Sequence, residues 1–328
     1  MAGATMLGPG RWSSACDAKA SGAGVGRAAR WLVVVCAWCI AGGWAEGEGG
    51  RLFECWDVGA SNRVQVLVPG DAGSLTDALR GVARWTIPGS SWVVVRLGPG
   101  SHEQRGTLTV HHPFGARLGI VGACDGGSPA TVLRWSGPTD GIYVGQNHAL
   151  GELGDLRIEN ASPALRGNAS GVLADEGGHI WCGSNVVVSG FYYGFTARRN
   201  GTIRCQGTAV ERSGDAGYFA YMGGHIDACR SRSRGADDRG QGLGSGYVAE
   251  YGGSIDAGEA VAEGCFLAGF QALSGGSIRA AQSIARDNEG HGYRVRDCGV
   301  IVAHGHQAPG NARGAVSNPF GDGVFVER

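Results

Sequence analysis

The sequence lacks an excess of charge of either sign, because 28 basic and 29 acidic residues give a formal net charge of −1. A protein that binds nucleic acid or an anionic membrane surface needs a basic patch, so this balance gives no electrostatic reason to expect either partner. The chain also lacks a long hydrophobic stretch. Its apolar run WLVVVCAWCIAGG at 31–43 is short of the about 20 residues that a membrane-spanning helix needs. We therefore predict no nucleic-acid partner and no membrane span.

The apolar run instead has the layout of a secretory signal. Arg27 and Arg30 precede it, and the residues GWA at 43–45 form a small-x-small cleavage site. We expect residues 1–45 to be a signal peptide with a preceding segment, and residues 46–328 to be a secreted, extracellular domain. A chance apolar segment is the alternative interpretation.

Metal-binding cysteine motifs are absent from the predicted mature chain. Three of the ten cysteines lie before residue 46, and none of the remaining seven shows the C-x-x-C spacing of zinc sites. We therefore predict no metal and no other cofactor. An odd number of cysteines in a secreted chain leaves at least one free thiol or an intermolecular bond.

Glycine is abundant, with 62 residues, and it marks an internal repeat. Residues 246–257 read GYVAEYGGSIDA, and residues 269–280 read GFQALSGGSIRA, which is the same pattern 23 residues later. Four of the five gaps between the leading glycines are 23 residues, and the fifth is 29. A fixed short period predicts a solenoid whose units stack on one another. The leading glycines are Gly171, Gly194, Gly217, Gly246, Gly269 and Gly292.

Within each copy the repeated positions lie two residues apart, which is the period of a β-strand. The position after the leading glycine is aromatic in five of six copies, and a second strand carries an Ile followed two residues later by Cys or Ala. A third strand is predicted near 186–188, 209–210, 261–262 and 284–285. The second glycine of each Gly pair is predicted to occupy a bend that needs unusual backbone angles. The aromatic column holds Val172, Phe195, Tyr218, Tyr247, Phe270 and Tyr293, and the Ile column holds Ile180, Ile203, Ile226, Ile255, Ile278 and Ile301.

Three strands and three turns in about 23 residues predict an all-β fold, a single-stranded right-handed parallel β-helix with coils about 4.8 Å apart. The pattern resembles the pectin-lyase-like right-handed parallel β-helix family, and within it the Gly/Ala-rich β-helices of phage tail-spike and tail-fibre proteins. The regular coils at 171–304 carry this resemblance, which extends over 64–170. The resemblance implies the fold, favours a polysaccharide or cell-surface glycan as partner, and fixes no activity.

The two ends of the solenoid need cover, because an exposed coil is a free sheet edge. Residues 74–85 predict a short capping helix with Ser74 as its N-cap, and coils are expected to begin near Val93. At the other end we expect an imperfect coil and a last strand at 324–326. With no long cap visible there, a partner chain is a candidate cover, which would make a homo-oligomer.

One outward column beside the Ile strand supplies the candidate site: Trp181, Arg204, Asp227, Asp256 and Arg279. An exposed Trp among polar residues suits stacking on a sugar ring, so the column is predicted to bind a glycan. Asp227 and Asp256 alternatively form a carboxylate pair about 5–6 Å apart, near the spacing of a retaining glycosidase. A solvated face of alternating charges is the third interpretation.

Fragments of other catalytic motifs are weak. Asp237-Asp238 and His291 match a polygalacturonase-like pattern only in isolation, and the Asp-Pro-His motif of epimerases is absent. The arginine-rich stretch (Arg230, Arg232, Arg234 and Arg239) is predicted to be a solvated loop, and contact with an acidic glycan is the alternative. We therefore predict a secreted, non-catalytic glycan-recognition or structural surface protein. The alternative is a polysaccharide lyase or glycoside hydrolase acting on acidic polysaccharide.

Two further features are left open by the sequence. Cys182 and Cys205 occupy one column in adjacent coils, either as small buried side chains or as a disulfide between coils. Sequons at Asn160, Asn168 and Asn200 are N-glycosylation acceptors only if the host modifies secreted proteins.

Overall fold

The computed structural model describes residues 63–162, 168–237, 244–319 and 321–327. All of them belong to one compact unit, Leu52–Arg328. The predicted signal at 1–45 lies outside the described residues, and so do Asp238 and Arg239. Within the described ranges the chain is a right-handed parallel β-helix, which confirms the predicted fold class.

Each regular coil contributes one strand to each of three parallel sheets, A, B and C, and the coils at the two ends are incomplete. Sheet A contains the Ile column, and its 11 strands are β1 (Arg63–Val68), β2 (Trp92–Leu97), β5 (Leu118–Val121), β10 (Ala149–Gly154), β13 (His179–Cys182), β16 (Thr202–Arg204), β19 (His225–Asp227), β22 (Ser254–Asp256), β25 (Ser277–Arg279), β28 (Val300–Val302) and β30 (Val324–Val326). Sheet B contains the third strand of each coil, and its eight strands are β3 (Gly100–Gln104), β8 (Thr131–Trp135), β11 (Leu156–Asn160), β14 (Val186–Ser189), β17 (Ala209–Glu211), β20 (Arg232–Arg234), β23 (Val261–Glu263) and β26 (Ile284–Arg286).

Sheet C contains the aromatic column, and its nine strands are β4 (Leu108–Val110), β9 (Ile142–Val144), β12 (Ser170–Ala174), β15 (Tyr193–Arg198), β18 (Ala216–Tyr221), β21 (Ser245–Glu250), β24 (Ala268–Leu273), β27 (His291–Val295) and β29 (Val316–Ser317). Outside these sheets lie a helix α1 at Leu75–Val82, a 3-10 turn at Gly115–Arg117, and a small antiparallel hairpin of β6 (Cys124–Asp125) and β7 (Ser128–Pro129).

The register of neighbouring coils follows the repeat. Phe195 pairs with Tyr218 and Tyr218 with Tyr247, while Ile203 pairs with Ile226 and Ile226 with Ile255. Like residues therefore stack on like, as the period predicted, and the inward positions of all three sheets form one continuous hydrophobic core.

The aromatic column is a ladder of buried, nearly parallel rings along the axis. Ring centroids lie 4.7 Å apart between Tyr218 and Tyr247 and between Tyr247 and Phe270, with interplanar angles of 3° and 9°. Each tyrosine hydroxyl meets a side-chain hydroxyl of the strand-joining turn: Tyr218 meets Thr208 at 3.1 Å, and Tyr247 meets Ser231 at 2.9 Å. Phenylalanine occupies the position where no such hydroxyl is offered, because the residue equivalent to Ser231 one coil later is Ala260.

The turn from sheet C to sheet A explains the glycine pairs and corrects one prediction. Two consecutive residues take positive φ, for example Tyr251 at 47° and Gly252 at 74°, and the N–H of Gly253 donates to the carbonyl of Glu250 at 3.0 Å. This is the pattern of a type I′ turn. The unusual angles therefore fall on the first glycine of the pair. The second is required for a different reason: a Cβ on Gly253 would lie 2.2 Å from the carbonyl oxygen of Ala220 in the preceding coil.

The first coil differs from the expectation that coils begin near Val93. Strand β1 precedes the helix and pairs with β2 in parallel, so the stack already includes a strand at Arg63–Val68. Helix α1 lies between these two strands in sequence and buries Leu75, Ala78 and Val82. Ser74 is its N-cap, as predicted, and accepts a hydrogen bond from the N–H of Asp77. At the other end β30 pairs with β28, which confirms the predicted last strand.

Candidate functional site

The predicted column on sheet A is a continuous row. Trp181 pairs with Arg204, Arg204 with Asp227, Asp227 with Asp256, and Asp256 with Arg279. Trp181 is half-buried and stacks on His179, with ring centroids 6.2 Å apart. The two arginines are exposed. Whether the row binds a ligand stays a prediction.

Asp227 has a local structural role. Its carboxylate accepts a hydrogen bond from Nε2 of Gln206 at 2.7 Å and another from the N–H of Cys229 at 3.4 Å. These bonds fix the turn that leads from sheet A to sheet B. Asp227 and Asp256 are therefore neighbours, as predicted. The carboxylate of Asp227, however, is already hydrogen-bonded to residues of the turns that lead from sheet A to sheet B.

The arginine-rich stretch was predicted to be a solvated loop, and that prediction was wrong for Arg232 and Arg234. Arg232 and Arg234 belong to β20, which pairs with β17 and β23. Both bind Glu263, at 2.7 and 3.2 Å, and Arg286 binds the same carboxylate at 2.6 Å. The six extra residues of this coil follow β20. Arg232 and Arg234 thus belong to a charge ladder on the outer face of sheet B.

Other candidates are not brought together. His291 begins β27 in sheet C, whereas the Asp227–Asp256 pair lies on sheet A. Cys182 and Cys205 are free thiols, so the disulfide alternative is not formed, and Cys205 is fully buried.

Asn160 is also buried, and its side-chain amide donates to the carbonyl of Gly137 at 3.0 Å. It is therefore a poor glycosylation acceptor.

A cleft on the outer face of sheet C is a second candidate site, and it was not predicted from the sequence. It encloses about 380 Å³. Its described lining residues come from six adjacent coils: Asn168, Ser170, Tyr193, Thr196, Arg198, Phe219, Tyr221, Glu250, Tyr251, Leu273 and Arg296. The alternation of a strand produces it, because Tyr218 and Ala220 point into the core and Phe219 and Tyr221 therefore point outward.

Aromatic rings form much of the cleft surface. Tyr193 stacks on Phe219 with centroids 4.7 Å apart and an interplanar angle of 23°, and Phe219 contacts Tyr221 at 5.5 Å. Tyr221 meets Tyr251 edge-on at 5.3 Å. Tyr193 and Phe219 are buried, whereas Tyr251 is 54% exposed at the rim. The cleft therefore offers both a rigid aromatic floor and an accessible ring.

Two arginines stand at opposite ends of one outward row of the cleft. Arg198 pairs with Tyr221, Tyr221 with Glu250, and Glu250 with Leu273, and Arg296 follows in the next coil. Four strand spacings of about 4.8 Å separate Arg198 from Arg296, so the row is about 19 Å long. It runs along the axis of the solenoid.

Both arginines already have acidic partners. Nε of Arg198 lies 3.0 Å from Asp175, a buried residue that also binds Arg199, and Nε of Arg296 lies 3.2 Å from Asp297. Burial alone would raise the pKa of Asp175, but the hydrogen bonds and charges of Arg199 and Arg198 outweigh it and hold that pKa below its ordinary value.

This depressed pKa predicts an acid-sensitive contribution to stability. An acid whose pKa is lower in the folded state stabilises the fold above its unfolded pKa of about 3.9, and that contribution disappears as the pH falls through the folded pKa. We expect Asp175→Asn to lower the free energy of unfolding by about 2 kcal/mol at neutral pH, since hydrogen bonds to charged groups are lost. Urea unfolding of both proteins across pH would show the difference shrinking below about pH 4.

Asp125→Asn is the control for that measurement, because Asp125 is exposed on the hairpin. It should leave the free energy of unfolding unchanged at every pH. An Asp175→Asn effect that persisted unchanged in acid would contradict an ionic origin.

Glu250 is the one cleft acid, and it has no basic partner within salt-bridge distance among the described residues. Its side chain lies between Tyr221 and Leu273 in the neighbouring coils. Burial raises the pKa of Glu250, and the positive charge of Arg296 opposes that shift only partly. The centre of the cleft therefore carries a partly desolvated, unpaired carboxyl group.

A signal for this cleft was present in the sequence. Aromatic residues occupy two outward positions of one strand, at Phe219 and Tyr221, and Tyr251 lies in the turn after the equivalent strand of the next coil. The sequence interpretation followed the inward columns and a single outward column on sheet A. The repeat does not show which outward face is partly covered by other residues. That depends on the connections from sheet B to sheet C, which differ in length between coils.

The fold and the cleft together define the class: a right-handed parallel β-helix protein with an aromatic, axial cleft on one sheet. No protein-family model matches the chain, and no curated protein matches it. In the part of the chain that the structure describes, no helix is both long and apolar enough to cross a lipid bilayer.

Proposed function

We propose that this chain is a secreted carbohydrate-binding β-helix protein, related in kind to pectin-lyase-like and tail-spike β-helices, and that the cleft on sheet C holds a linear glycan. The observation that carries the proposal is the aromatic surface formed by Tyr193, Phe219, Tyr221 and Tyr251. The apolar face of a sugar ring packs on such rings, while polar groups nearby bind its hydroxyls.

The geometry of a solenoid supports a polymeric ligand. Successive coils present equivalent positions at a constant spacing of about 4.8 Å. An extended polymer lying along the axis therefore meets one outward side chain of each coil at a regular interval. Concave surfaces of repeat proteins bind extended partners in this way.

The row from Trp181 to Arg279 on sheet A is a second predicted glycan-binding surface. It offers one half-buried indole and four charged side chains at the same axial spacing. The variant Trp181→Ala tests this second surface.

Glycan binding is expected to depend on the cleft rings. A glycan array identifies a ligand for the wild-type protein, and calorimetry then measures its affinity. We expect Tyr221→Ala and Tyr251→Asn each to weaken binding about tenfold, equivalent to about 1.4 kcal/mol. Asn is chosen at 251 because it tolerates the positive φ of 47° found there.

Phe266→Ala is the matched control, since Phe266 is an exposed aromatic outside the cleft lining. It should bind like the wild type. If Trp181→Ala abolishes binding and the cleft variants do not, the site lies on sheet A instead. An array on which the wild-type protein is silent would remove the basis for glycan recognition.

The alternative function is polysaccharide cleavage by a lyase or hydrolase. The observation that favours it is Glu250, because a carboxyl group whose pKa is raised by burial is suited to general acid catalysis. Release of reducing ends or of unsaturated products from a panel of polysaccharides would establish it. Loss of that activity in Glu250→Gln would assign it to the cleft, and loss in Asp227→Asn or Asp256→Asn to sheet A.

A further inference from the structure

We propose that the glycan bound in the sheet C cleft is uncharged: a linear, hydroxyl-rich neutral oligosaccharide lying along the coil axis, rather than an acidic polysaccharide. This inference rests on the proposed function and specifies the chemical class of the ligand. It follows from how the charged groups of the cleft are paired.

The arginines are the groups that would recognise an anionic sugar, and each already has an acidic neighbour at its Nε. A guanidinium binds a carboxylate best when its fork is free for two parallel hydrogen bonds. Nε of Arg198 is taken by Asp175, and Nε of Arg296 lies beside Asp297. An acidic ligand would have to compete with carboxylates of the protein itself.

Among the described lining residues, no positive charge lacks an acidic partner. Arg199 binds both Asp175 and Glu176, so two arginines and two acids balance at that end. Arg296 and Asp297 form an ion pair at the other end, and Glu250 has no ion-pair partner among the described residues. Arg294 lies in the neighbouring outward row, beside Gln271 and outside the described lining, and burial and the charge of Arg296 lower its pKa.

Glu250 would also repel an acidic ligand. Its carboxyl group lies in the middle of the row between the two arginines. When ionised it would repel a uronate or sulfate group held at that position, whereas it accepts hydrogen bonds from neutral hydroxyls. Burial strengthens both effects, because charges interact more strongly away from water.

The remaining polar groups among the described lining residues are neutral and suit hydroxyls. Thr196 and Ser170 share a hydrogen bond of 2.8 Å on the floor, and Asn168 is exposed at the edge. Hydroxyl and amide groups both donate and accept hydrogen bonds, as sugar hydroxyls do. Together with the aromatic rings, they complement an uncharged polyol surface.

The experiment compares neutral and acidic linear oligosaccharides of matched length. Calorimetry with hexasaccharides of glucose, mannose and xylose is set beside hexasaccharides of galacturonate and mannuronate, at low and high salt. We expect a neutral oligosaccharide to bind at least tenfold more tightly than any acidic one, with little dependence on salt. Tighter, salt-sensitive binding of an acidic oligosaccharide would overturn the inference while leaving glycan binding intact.

Two variants test the electrostatic cause. Glu250→Gln removes the central negative charge, and Asp297→Asn removes the acidic partner of Arg296. Each variant should reduce the ratio of the affinities for neutral and acidic oligosaccharides severalfold. Tyr221→Ala should weaken the binding of neutral ligands, which ties that binding to this cleft. If neither charge variant reduces this ratio, the proposed cause is wrong. If the wild-type protein binds neither class, the proposed function fails and this inference fails with it.

Discussion

Replacing Gly253 with alanine is expected to destabilise the β-helix by about 3 kcal/mol or more, because a methyl group is forced against backbone that has no room to move. The added Cβ would lie 2.2 Å from the carbonyl oxygen of Ala220 and 2.5 Å from its carbonyl carbon. That carbonyl belongs to the preceding coil, so the clash pushes two coils apart. The midpoint of urea unfolding, followed by far-ultraviolet circular dichroism, measures the loss.

The neighbouring glycine supplies a matched control. Gly252 has a φ of 74°, and a Cβ added there would meet no atom within 4 Å. The equivalent residue two coils earlier is Asn200, which has a φ of 63°. Gly252→Asn should therefore cost less than about 1 kcal/mol, since Asn tolerates the left-handed region. Equal effects of the two substitutions would show that coil contact is not what requires the second glycine.

Removing a ring from the aromatic ladder is expected to cost a similar amount. Tyr247 stacks on Tyr218 and on Phe270, with centroids 4.7 Å away in both directions, and its side chain is fully buried. Tyr247→Ala should lower the free energy of unfolding by about 3–5 kcal/mol, as large-to-small core substitutions of aromatic residues do. Tyr247→Phe keeps the ring and loses the hydrogen bond to Ser231, so about 1 kcal/mol is expected.

A double-mutant cycle separates the hydroxyl from the ring. Phe270→Tyr introduces a buried hydroxyl opposite Ala260, and Ala260→Ser supplies the partner that Tyr247 has in Ser231. We expect the pair to be coupled by about 1 kcal/mol in favour of the double variant. Strict additivity of the two substitutions would mean that the hydroxyl pairs do not select tyrosine over phenylalanine.

These two predictions test the physical basis of the fold, and the ligand experiments test its use. The inward columns determine whether the coils stack, whereas the outward rows determine what the surface can bind. Variants in the cleft, such as Tyr221→Ala, change partly exposed side chains and are expected to leave the stack intact. A negative result in the stability experiments would therefore not affect the binding hypothesis, and a negative result in the binding experiments would not affect the account of the fold.

The architecture of the regular coils could be predicted from the amino-acid order. The 23-residue period, the two-residue alternation and the third strands near 186–188 and 261–262 all match the strands found. The residues from Trp181 to Arg279 were also correctly predicted to form one row. Stacking links each residue to its counterpart one period away, so the pairing partners of a repeat solenoid can be counted along the chain.

The position of the cleft and the pairing of its charges became apparent only once the coils were assembled. Outward residues of sheet C such as Phe219 and Leu273 are buried, although the strand pattern alone assigns them to a solvent face. Arg232 lies in a strand against Glu263, although its sequence context resembles a loop. Whether an outer face is covered depends on connections of unequal length. Whether a charged side chain is paired depends on side chains from other coils. The period carries no information about either.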